Sequence, residues 1–473
     1  MSISTGELIG RTSEGVDVSL GIPYAAPPFG ENRFRLPQPV TAWSEPRDAG
    51  AFGPTSPQTP YRARVAEFLP SINVPGEDIL TVNVWSPSGA KNLPVAVWIH
   101  GGAFEKGSAA LDVYNGMSFA RDGIVFVSMN YRLGSEGFSV IEGAPRNLGL
   151  EDAAAAVRWV RAEIASFGGD PDRITIFGES AGGSMVAALL SRPEGQLVAG
   201  AIMESGPLLV DDPEKGAKLS ADLAKRLGVP ATREGFLGVT PDDLLRARRE
   251  QVGNKTILTG APSFALTRDP DTLPVDPAVG VIQSPVPMII GANSDEALLW
   301  FSPQDLAGVK GFKYWAGKKV LKVSKAAEQA YRQAFPDASS GMLFSKFITD
   351  LLLRGPGLLA AKARPARTNV YEFTWKTDEN DLGAGHVMEV PFVFDDLSSP
   401  DAQKLVGKNA PQALADAVHG DWVQFITTQR VDWPVFQEGN QVRFYTDPVA
   451  VGPVPHESTV TTLIRDAQAA QKR

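Results

Sequence analysis

Apolar residues occur in short runs of strand length along the whole chain. Several of these runs are continuous rather than alternating with polar residues, and they are rich in β-branched and aromatic side chains. A continuous apolar run of this length is typical of a strand that is covered on both faces, as in a parallel sheet. The runs that we predict as strands are residues 80–85, 94–99, 124–128, 174–177, 200–203, 286–290 and 369–375.

A helix is predicted between two of these runs, over residues 147–167. Its apolar residues recur at intervals of three and four, which places them on one helical face; they are Leu150, Ala153, Val157, Val160, Ile164 and Phe167. A helix between successive buried strands is typical of parallel strands joined by crossover helices. We therefore predict an α/β fold with a mostly parallel central sheet flanked by helices.

From about residue 211 the pattern changes to charged, helix-like segments separated by loops, at 214–227, 242–250, 321–335 and 342–354. No linker long enough to separate independent domains occurs, so we expect residues 1–473 to form one domain. Within it, residues 211–370 are predicted to be mainly helical insertions that form a cap, apart from the strand and loop near 286–296. A helix at 411–428 and a strand at 441–445 are expected to pack back on the sheet.

Composition and charge restrict the classes of function. Apolar residues make up 43% and charged residues 21%, as in globular proteins. The formal charge of −9 disfavours nucleic acid and anionic lipid as partners and suits a neutral small molecule. The absence of cysteine excludes disulfides and thiolate chemistry. Neither a secretory leader pattern nor an apolar stretch of about 18 residues is present, so we expect a cytoplasmic protein without a membrane partner.

The motif Gly178-Glu179-Ser180-Ala181-Gly182 follows a predicted buried strand and precedes a stretch of small residues. A strand, a sharp turn and a helix in this order are typical of a nucleophile elbow, which exposes a serine hydroxyl. Upstream, Gly101 and Gly102 follow another predicted strand, where backbone N–H groups can approach a ligand closely. The pattern predicts an oxyanion hole formed by the N–H groups of Gly102, Ala103 and Ala181.

A serine nucleophile needs an imidazole base and a carboxylate to orient that base. The chain has four histidines. His100 belongs to the glycine loop, His419 lies in a helical pattern and His456 lies in a proline-rich loop near the C-terminus, which leaves His386 as the predicted base. The acid should lie between Ser180 and His386 in the order that α/β-hydrolases follow, and the loop after residue 290 offers both Asp295 and Glu296.

The chain resembles the type-B carboxylesterases, a family of α/β-hydrolases that includes bacterial p-nitrobenzyl esterases, phenmedipham hydrolases and cholinesterases. The resemblance covers nearly the whole chain. It rests on the elbow and the glycine loop together with the stretches 21–28, 83–85, 98–104, 130–134, 147–150, 167–171 and 433–434.

The resemblance implies an α/β-hydrolase fold with helical insertions over the active site, and roles for individual residues. It implies that Ser180 is the nucleophile, that Glu296 rather than its neighbour is the acid, and that His386 is the base. It also implies supporting positions around the triad at Glu179, Ser205 and Glu389. The residues implied to line the substrate pocket are Phe104, Phe264, Leu299 and Trp300.

The resemblance also implies two buried structural ion pairs, Arg33 with Glu77 and Arg132 with Asp170. The chain departs from the family pattern at Ile79, where secreted members have cysteine, and this favours an intracellular enzyme. Ala297 and Val387 stand where glycine commonly follows the acid and the base, so small shifts in those two loops are expected.

Together these features predict a serine carboxylesterase that acts through an acyl-enzyme, with no cofactor and no metal ion. The expected partner is a small-molecule ester, and the expected state is a monomer or a homodimer. Two alternatives remain: a carbamate or amide hydrolase that uses the same triad, and an esterase-like scaffold that only binds partners. The presence of Ser180, Glu296 and His386 disfavours the scaffold.

Overall fold

The fold is built on a sheet of eleven strands in the computed structural model, which describes residues 1–253 and 262–471. Seven neighbouring strands in the middle run parallel, and the four outer ones are antiparallel to their neighbours. In chain order the strands are β1 (Arg11–Ser13), β2 (Val16–Pro23), β3 (Thr81–Pro87), β4 (Leu93–Ile99), β5 (Val125–Met129), β6 (Gly169–Glu179), β7 (Gly200–Glu204), β8 (Met288–Asn293), β9 (Thr368–Phe373), β10 (Gln441–Tyr445) and β11 (Ala450–Pro453). Across the sheet their order is β11-β10-β9-β8-β7-β6-β4-β5-β3-β2-β1. A separate small sheet contains Ser2–Ile3, Gly6–Ile9 and Arg47–Asp48.

Both faces of the sheet are covered, as the continuous apolar runs predict. Val97 on β4 belongs to a core shared with the helices Leu148–Glu163 and Ala181–Leu190. The next residue, Trp98, belongs to a second core shared with the helix Gln412–Thr428. Successive side chains of a strand point to opposite faces, so a strand with a core on each face must be apolar throughout.

Helices surround the sheet and occupy most of the chain between β7 and β9. The helices of the described residues are Val65–Phe68, Met117–Arg121, Gly134–Phe138, Leu148–Glu163, Ala181–Leu190, Pro213–Leu227, Arg233–Leu237, Pro241–Val252, Pro277–Gln283, Pro303–Ala307, Gly311–Val320, Lys325–Ala334, Ser340–Thr349, Gly355–Ala363, Val390–Val393, Pro400–Val406, Gln412–Thr428 and Glu457–Gln471. Four of those between β8 and β9 pack around a third core that includes Leu298, Tyr314 and Phe344; they are Pro303–Ala307, Gly311–Val320, Lys325–Ala334 and Ser340–Thr349.

The predicted strands and helices are present, and the differences concern their ends. The strand predicted at 174–177 extends over Gly169–Glu179. The helix predicted at 342–354 is Ser340–Thr349 followed by a π-helical turn, Asp350–Arg354. Of the predicted cap range, residues 254–261 lie outside the described residues. No helix of the described residues is long and apolar enough to cross a membrane.

Both predicted ion pairs are wrong in their acidic partners. Arg33 pairs with Glu136 at 2.5 Å, and its guanidinium also donates to the carbonyl of Phe236, whereas Glu77 is exposed. Arg132 pairs with Asp152 at 2.6 Å. Both pairs are buried. Asp170 instead accepts a hydrogen bond from the N–H of Asp172 and so closes its own turn.

Candidate active site

Ser180 occupies a strained turn between strand β6 and the helix Ala181–Leu190. Its backbone angles are φ 57° and ψ −122°, outside the regions that L-residues normally populate. The turn is tight enough that a Cβ atom at Gly182 would lie 1.9 Å from the carbonyl oxygen of Ile99, and one at Gly178 would lie 2.6 Å from the same atom. The two glycines of the motif are therefore required by close backbone contact with β4.

His386 and Glu296 form a buried hydrogen-bonded pair. Nδ1 of His386 lies 2.6 Å from Oε2 of Glu296. The other carboxylate oxygen, Oε1, accepts hydrogen bonds from the hydroxyl of Ser205 at 2.6 Å and from the backbone N–H of Asn293 at 2.8 Å. These bonds hold the carboxylate in place. Because Nδ1 faces a carboxylate, which accepts hydrogen bonds, we assign the proton of a neutral imidazole to Nδ1.

The structure distinguishes Glu296 from its neighbour. The carboxylate of Asp295 pairs with Lys376 at 2.6 Å and lies 3.9 Å from Lys346, and no ion pair links it to His386 in the described residues. Of these two adjacent acids, Glu296 is the one whose carboxylate reaches the imidazole. The other histidines are used elsewhere: His100 stacks on Tyr131, His419 bonds the carbonyl of Val393, and His456 packs on Phe335.

The second imidazole nitrogen faces Glu179. Nε2 of His386 lies 3.0 Å from Oε1 of Glu179, the residue that precedes Ser180. Within the described residues no hydrogen bond joins the Ser180 hydroxyl to this nitrogen, although both side chains line the same cavity. Hydrogen bonds between a nucleophile and its base are often long without substrate, so this geometry is compatible with the predicted pair.

Four buried glutamates surround this site, and sequence reasoning assigned no role to Glu204. Glu204 ends β7 directly beside Glu179, which ends β6, and the two residues are paired in register. Glu204 accepts a hydrogen bond from the indole of Trp422 at 2.8 Å, and Glu389 accepts one from the side chain of Asn293. Both strands end in a glutamate followed by a serine, a repeated pattern that could have identified Glu204 from the sequence.

Burial and mutual repulsion shift the pKa values of this cluster. Burial raises the pKa of Glu179 well above its ordinary value; the charge of His386 opposes this shift, and the charges of Glu389 and Glu296 add to it. Burial and the charge of Glu296 raise the pKa of Glu389 to about 7. Burial lowers the pKa of His386, but the charges of Glu179 and Glu296 outweigh burial and raise this pKa to about 9. These residues therefore titrate as a coupled group rather than one by one.

The glycine loop after β4 lies directly against the serine turn. A Cβ atom at Gly101 would lie 2.7 Å from Oε2 of Glu179 and 3.0 Å from Cβ of Ser180. Gly102 and Ala103 both have positive φ angles, 112° and 55°. The N–H groups of Gly102, Ala103 and Ala181 donate to no backbone acceptor of the described residues. Three unused donors beside the hydroxyl are what a developing oxyanion requires.

The cavity above Ser180 is mainly apolar. Of the residues expected to line it, Leu299 and Trp300 do so, and the Trp300 ring lies 4.9 Å from the ring of His386. The rest of its wall includes a segment that sequence reasoning missed, with Tyr61, Val65, Leu69 and Pro70. This segment is held in place by Arg64, which donates to the carbonyl of Leu298 at 3.0 Å and pairs with Asp381 at 2.5 Å.

Phe104 and Phe264 do not line this cavity, so their predicted roles are corrected. Phe104 is buried against Phe138, with ring centroids 4.8 Å apart. Phe264 lies under the guanidinium of Arg248, 4.7 Å from it, and lines a different cavity. In residues 1–253 and 262–471, no group of three or more histidine, aspartate or glutamate side chains is arranged to hold a metal ion.

Comparison with known proteins identifies the family. A profile of the carboxylesterase family matches residues 1–447. The chain belongs to the carboxylesterase family. It is 35% identical over 457 residues to the para-nitrobenzyl esterase of Bacillus subtilis (strain 168), covering 92% of this chain and 91% of that protein. It is 32% identical over 468 residues to the phenmedipham hydrolase of Pseudarthrobacter oxydans, covering 92% of each.

Solved structures of carboxylesterases share the fold. A carboxylesterase of Geobacillus stearothermophilus superimposes with a TM-score of 0.86 at 31% identity, over 98% of this chain and 99% of that one. A PNB esterase superimposes with a TM-score of 0.82 at 33% identity, over 98% and 99% of the two chains. The predicted α/β-hydrolase fold and the predicted carboxylic ester hydrolase activity are confirmed by these matches.

Proposed function

We propose that this carboxylesterase hydrolyses esters through an acyl-enzyme on Ser180, with His386 as base and Glu296 as acid. The observation that carries the proposal is the buried contact of 2.6 Å between His386 Nδ1 and Glu296 Oε2, in the cavity that Ser180 lines. A base held in one tautomer by a fixed carboxylate can take a proton through its other nitrogen.

In the proposed mechanism the Ser180 hydroxyl attacks the ester carbonyl as its proton moves to Nε2 of His386. The N–H groups of Gly102, Ala103 and Ala181 bind the oxyanion of the tetrahedral intermediate. The imidazolium then protonates the leaving alkoxide as the C–O bond breaks. A water molecule repeats the sequence on the acyl-enzyme, giving its proton to His386, and the acid product and free Ser180 are released.

The surrounding residues support this assignment through contacts with the triad. Ser205 orients the acid directly, since its hydroxyl donates to Glu296 at 2.6 Å. Glu179 is the partner of His386 Nε2 until the serine hydroxyl takes its place. Glu389 adds negative charge that favours the imidazolium. We assign these three residues positioning and electrostatic roles.

We infer a small ester as substrate, with its apolar part against Leu299 and Trp300, because the lining is mainly apolar. We also propose that the insertions at 211–370 form a cap beside this cavity, that the enzyme acts in the cytoplasm, and that it is a monomer or a homodimer. One relative is named phenmedipham hydrolase. This name favours a second candidate activity, the hydrolysis of carbamates by the same triad.

Covalent labelling with an organophosphate tests the nucleophile. The wild-type protein is expected to gain one adduct by intact-mass analysis, and Ser180→Ala none. Ser191→Ala is the matched control, since Ser191 lies at the far end of the same helix and bonds the carbonyl of Ala188. An adduct that persists in Ser180→Ala would contradict the assignment. Matched ester, carbamate and anilide substrates then rank the two candidate activities.

A further inference from the structure

The helix Gly311–Val320 exposes an unusual set of apolar side chains. Of the nine large apolar side chains that are exposed in the described part of the chain, three lie on this helix: Phe312, Trp315 and Val320, exposed by 79%, 53% and 70%. Phe312 and Trp315 stack on each other with ring centroids 5.6 Å apart. Exposed apolar residues that cluster in this way mark an interaction surface more often than isolated ones do.

The inner face of this helix packs on the third core, which leaves its outer face exposed to solvent. Tyr314 is buried in the third core, and Gly317 packs so closely that a Cβ atom there would lie 2.6 Å from the Phe344 ring. Phe312, Trp315 and Lys319 are spaced by three and four residues and so share the opposite face. Nζ of Lys319 lies 6.0 Å from the Trp315 ring.

The charge around this face is opposite to that of the whole chain. Residues 306–327 contain six lysines and no aspartate or glutamate, although the chain carries a formal charge of −9. Lys318 pairs with Glu328. The other five are exposed and make no ion pair with any described residue; they are Lys310, Lys313, Lys319, Lys322 and Lys325. The overall charge disfavours an anionic partner, but this segment favours one locally.

We propose that the outer face of the helix Gly311–Val320 and its flanking lysines form a docking surface for an anionic lipid bilayer. Exposed aromatic rings flanked by lysines suit the membrane interface, where aromatic rings sit at the headgroup level and lysines are attracted to anionic lipid. The lysines would contact lipid headgroups while the rings enter the acyl boundary. A second copy of the chain fits less well, because lysine is depleted from protein–protein interfaces.

The position of the surface connects it to the ester site. The third core that holds Tyr314 also contains Ala297 and Leu298, which directly follow Glu296. A bilayer bound at this helix would therefore lie on the side of the molecule that carries the acid turn. Apolar esters partition into lipid, so docking here would bring the enzyme to such substrates. The docking itself does not depend on the proposed hydrolysis.

Co-sedimentation of the full-length protein with vesicles tests the proposal. Binding is expected to vesicles containing about 30% phosphatidylglycerol, but not to phosphatidylcholine alone, and to weaken with salt. Lys313→Glu with Lys319→Glu should lower the partition coefficient at least about 25-fold, since each lysine near the surface contributes roughly fivefold. Phe312→Ala with Trp315→Ala should also lower it.

The matched control is Lys218→Glu with Lys225→Glu, which changes the net charge by the same amount. Both lysines are exposed on the helix Pro213–Leu227. The control variant should bind vesicles as the wild type does, and all variants should hydrolyse a soluble p-nitrophenyl ester normally. Absence of wild-type binding to phosphatidylglycerol vesicles would overturn the proposal. An equal loss of vesicle binding in the two lysine double variants would also overturn it. So would a wild-type dimer that dissociates in the Phe312→Ala with Trp315→Ala variant, because a second copy of the chain would then cover this face.

Discussion

The imidazole of His386 lies between two carboxylates, with Glu296 at Nδ1 and Glu179 3.0 Å from Nε2. The Glu179 contact occupies the nitrogen that a serine hydroxyl must reach. It also makes the protonation state of the proposed base depend on the residue next to the nucleophile, because the negative charge of Glu179 favours the imidazolium.

Glu179→Gln is therefore expected to shift the pH dependence of kcat/KM. The base must be neutral to accept a proton, so activity rises as pH increases through the pKa of His386, which is raised to about 9. Removing the charge of Glu179 lowers this pKa, and the rising limb should move about one unit or more towards lower pH. Glu163→Gln is the control, because Glu163 accepts a hydrogen bond from Ser4 and not from His386. An unchanged profile would mean that Glu179 does not control the base.

Ser180→Ala should lower the hydrolysis of a short p-nitrophenyl ester by at least about a thousandfold. The substitution removes the only proposed nucleophile while leaving the oxyanion donors in place. Initial rates at saturating substrate measure the effect, with Ser191→Ala as the matched variant expected to keep its rate. Near wild-type turnover of Ser180→Ala would refute the acyl-enzyme mechanism.

Glu296→Gln and Asp295→Asn should separate the two adjacent acids. Glu296→Gln places a neutral amide opposite Nδ1, which no longer stabilises the imidazolium or fixes its tautomer, and should reduce kcat by about 10³- to 10⁴-fold. Asp295→Asn breaks the pair with Lys376, which does not contact the imidazole, so kcat should stay within about tenfold. Equal losses in the two variants, with both proteins folded, would contradict the choice of acid.

Gly182→Ala should destabilise the protein or prevent folding, because the new methyl group would lie 1.9 Å from the carbonyl of Ile99. Overpacking against backbone costs about 1–3 kcal/mol or more. Gly420→Ala is the control, since no atom beyond the adjacent turns of its own helix lies within 4 Å of the added Cβ and alanine favours a helix. Thermal denaturation compares the two, and a midpoint for Gly182→Ala at or above that of the wild type would contradict the packing argument.

Arg132→Met should lower the free energy of unfolding by about 3–5 kcal/mol, because it leaves the carboxylate of Asp152 buried without its partner. The comparison is Lys215→Met, which removes the pair between a largely exposed lysine and the partly buried Asp211 and should change stability by less than about 1 kcal/mol. Urea denaturation measures both. Similar values for the two variants would show that the burial of the Arg132 pair has little energetic effect.

The sequence predicts those parts of the fold that depend on local pattern. Continuous apolar runs identify the central strands, and the glycines of the elbow identify the serine turn, because both depend on neighbours within a few residues. The partners of Arg33 and Arg132 were mispredicted because an ion pair is decided by which carboxylates the tertiary fold brings near, and Glu136 and Asp152 carry no local signal of that proximity.

The pocket was also predicted only in part, for the same physical reason. Leu299 and Trp300 lie three and four residues after the acid, in the same short turn, and line the same cavity. Phe264 lies far from the triad in the chain, and its placement under Arg248 depends on how the insertions fold. Tyr61 was not predicted because its segment reaches the cavity through contacts made by Arg64, and the sequence does not reveal those contacts.

The proposed nucleophile and its base are attached to strands that are made at very different times. Ser180 follows β6, whereas His386 comes after β9. During synthesis the segment that carries Ser180 is therefore made long before His386. Nascent or truncated chains that end before β9 would carry the serine but no base, so unfinished molecules could not hydrolyse esters inside the cell that makes them.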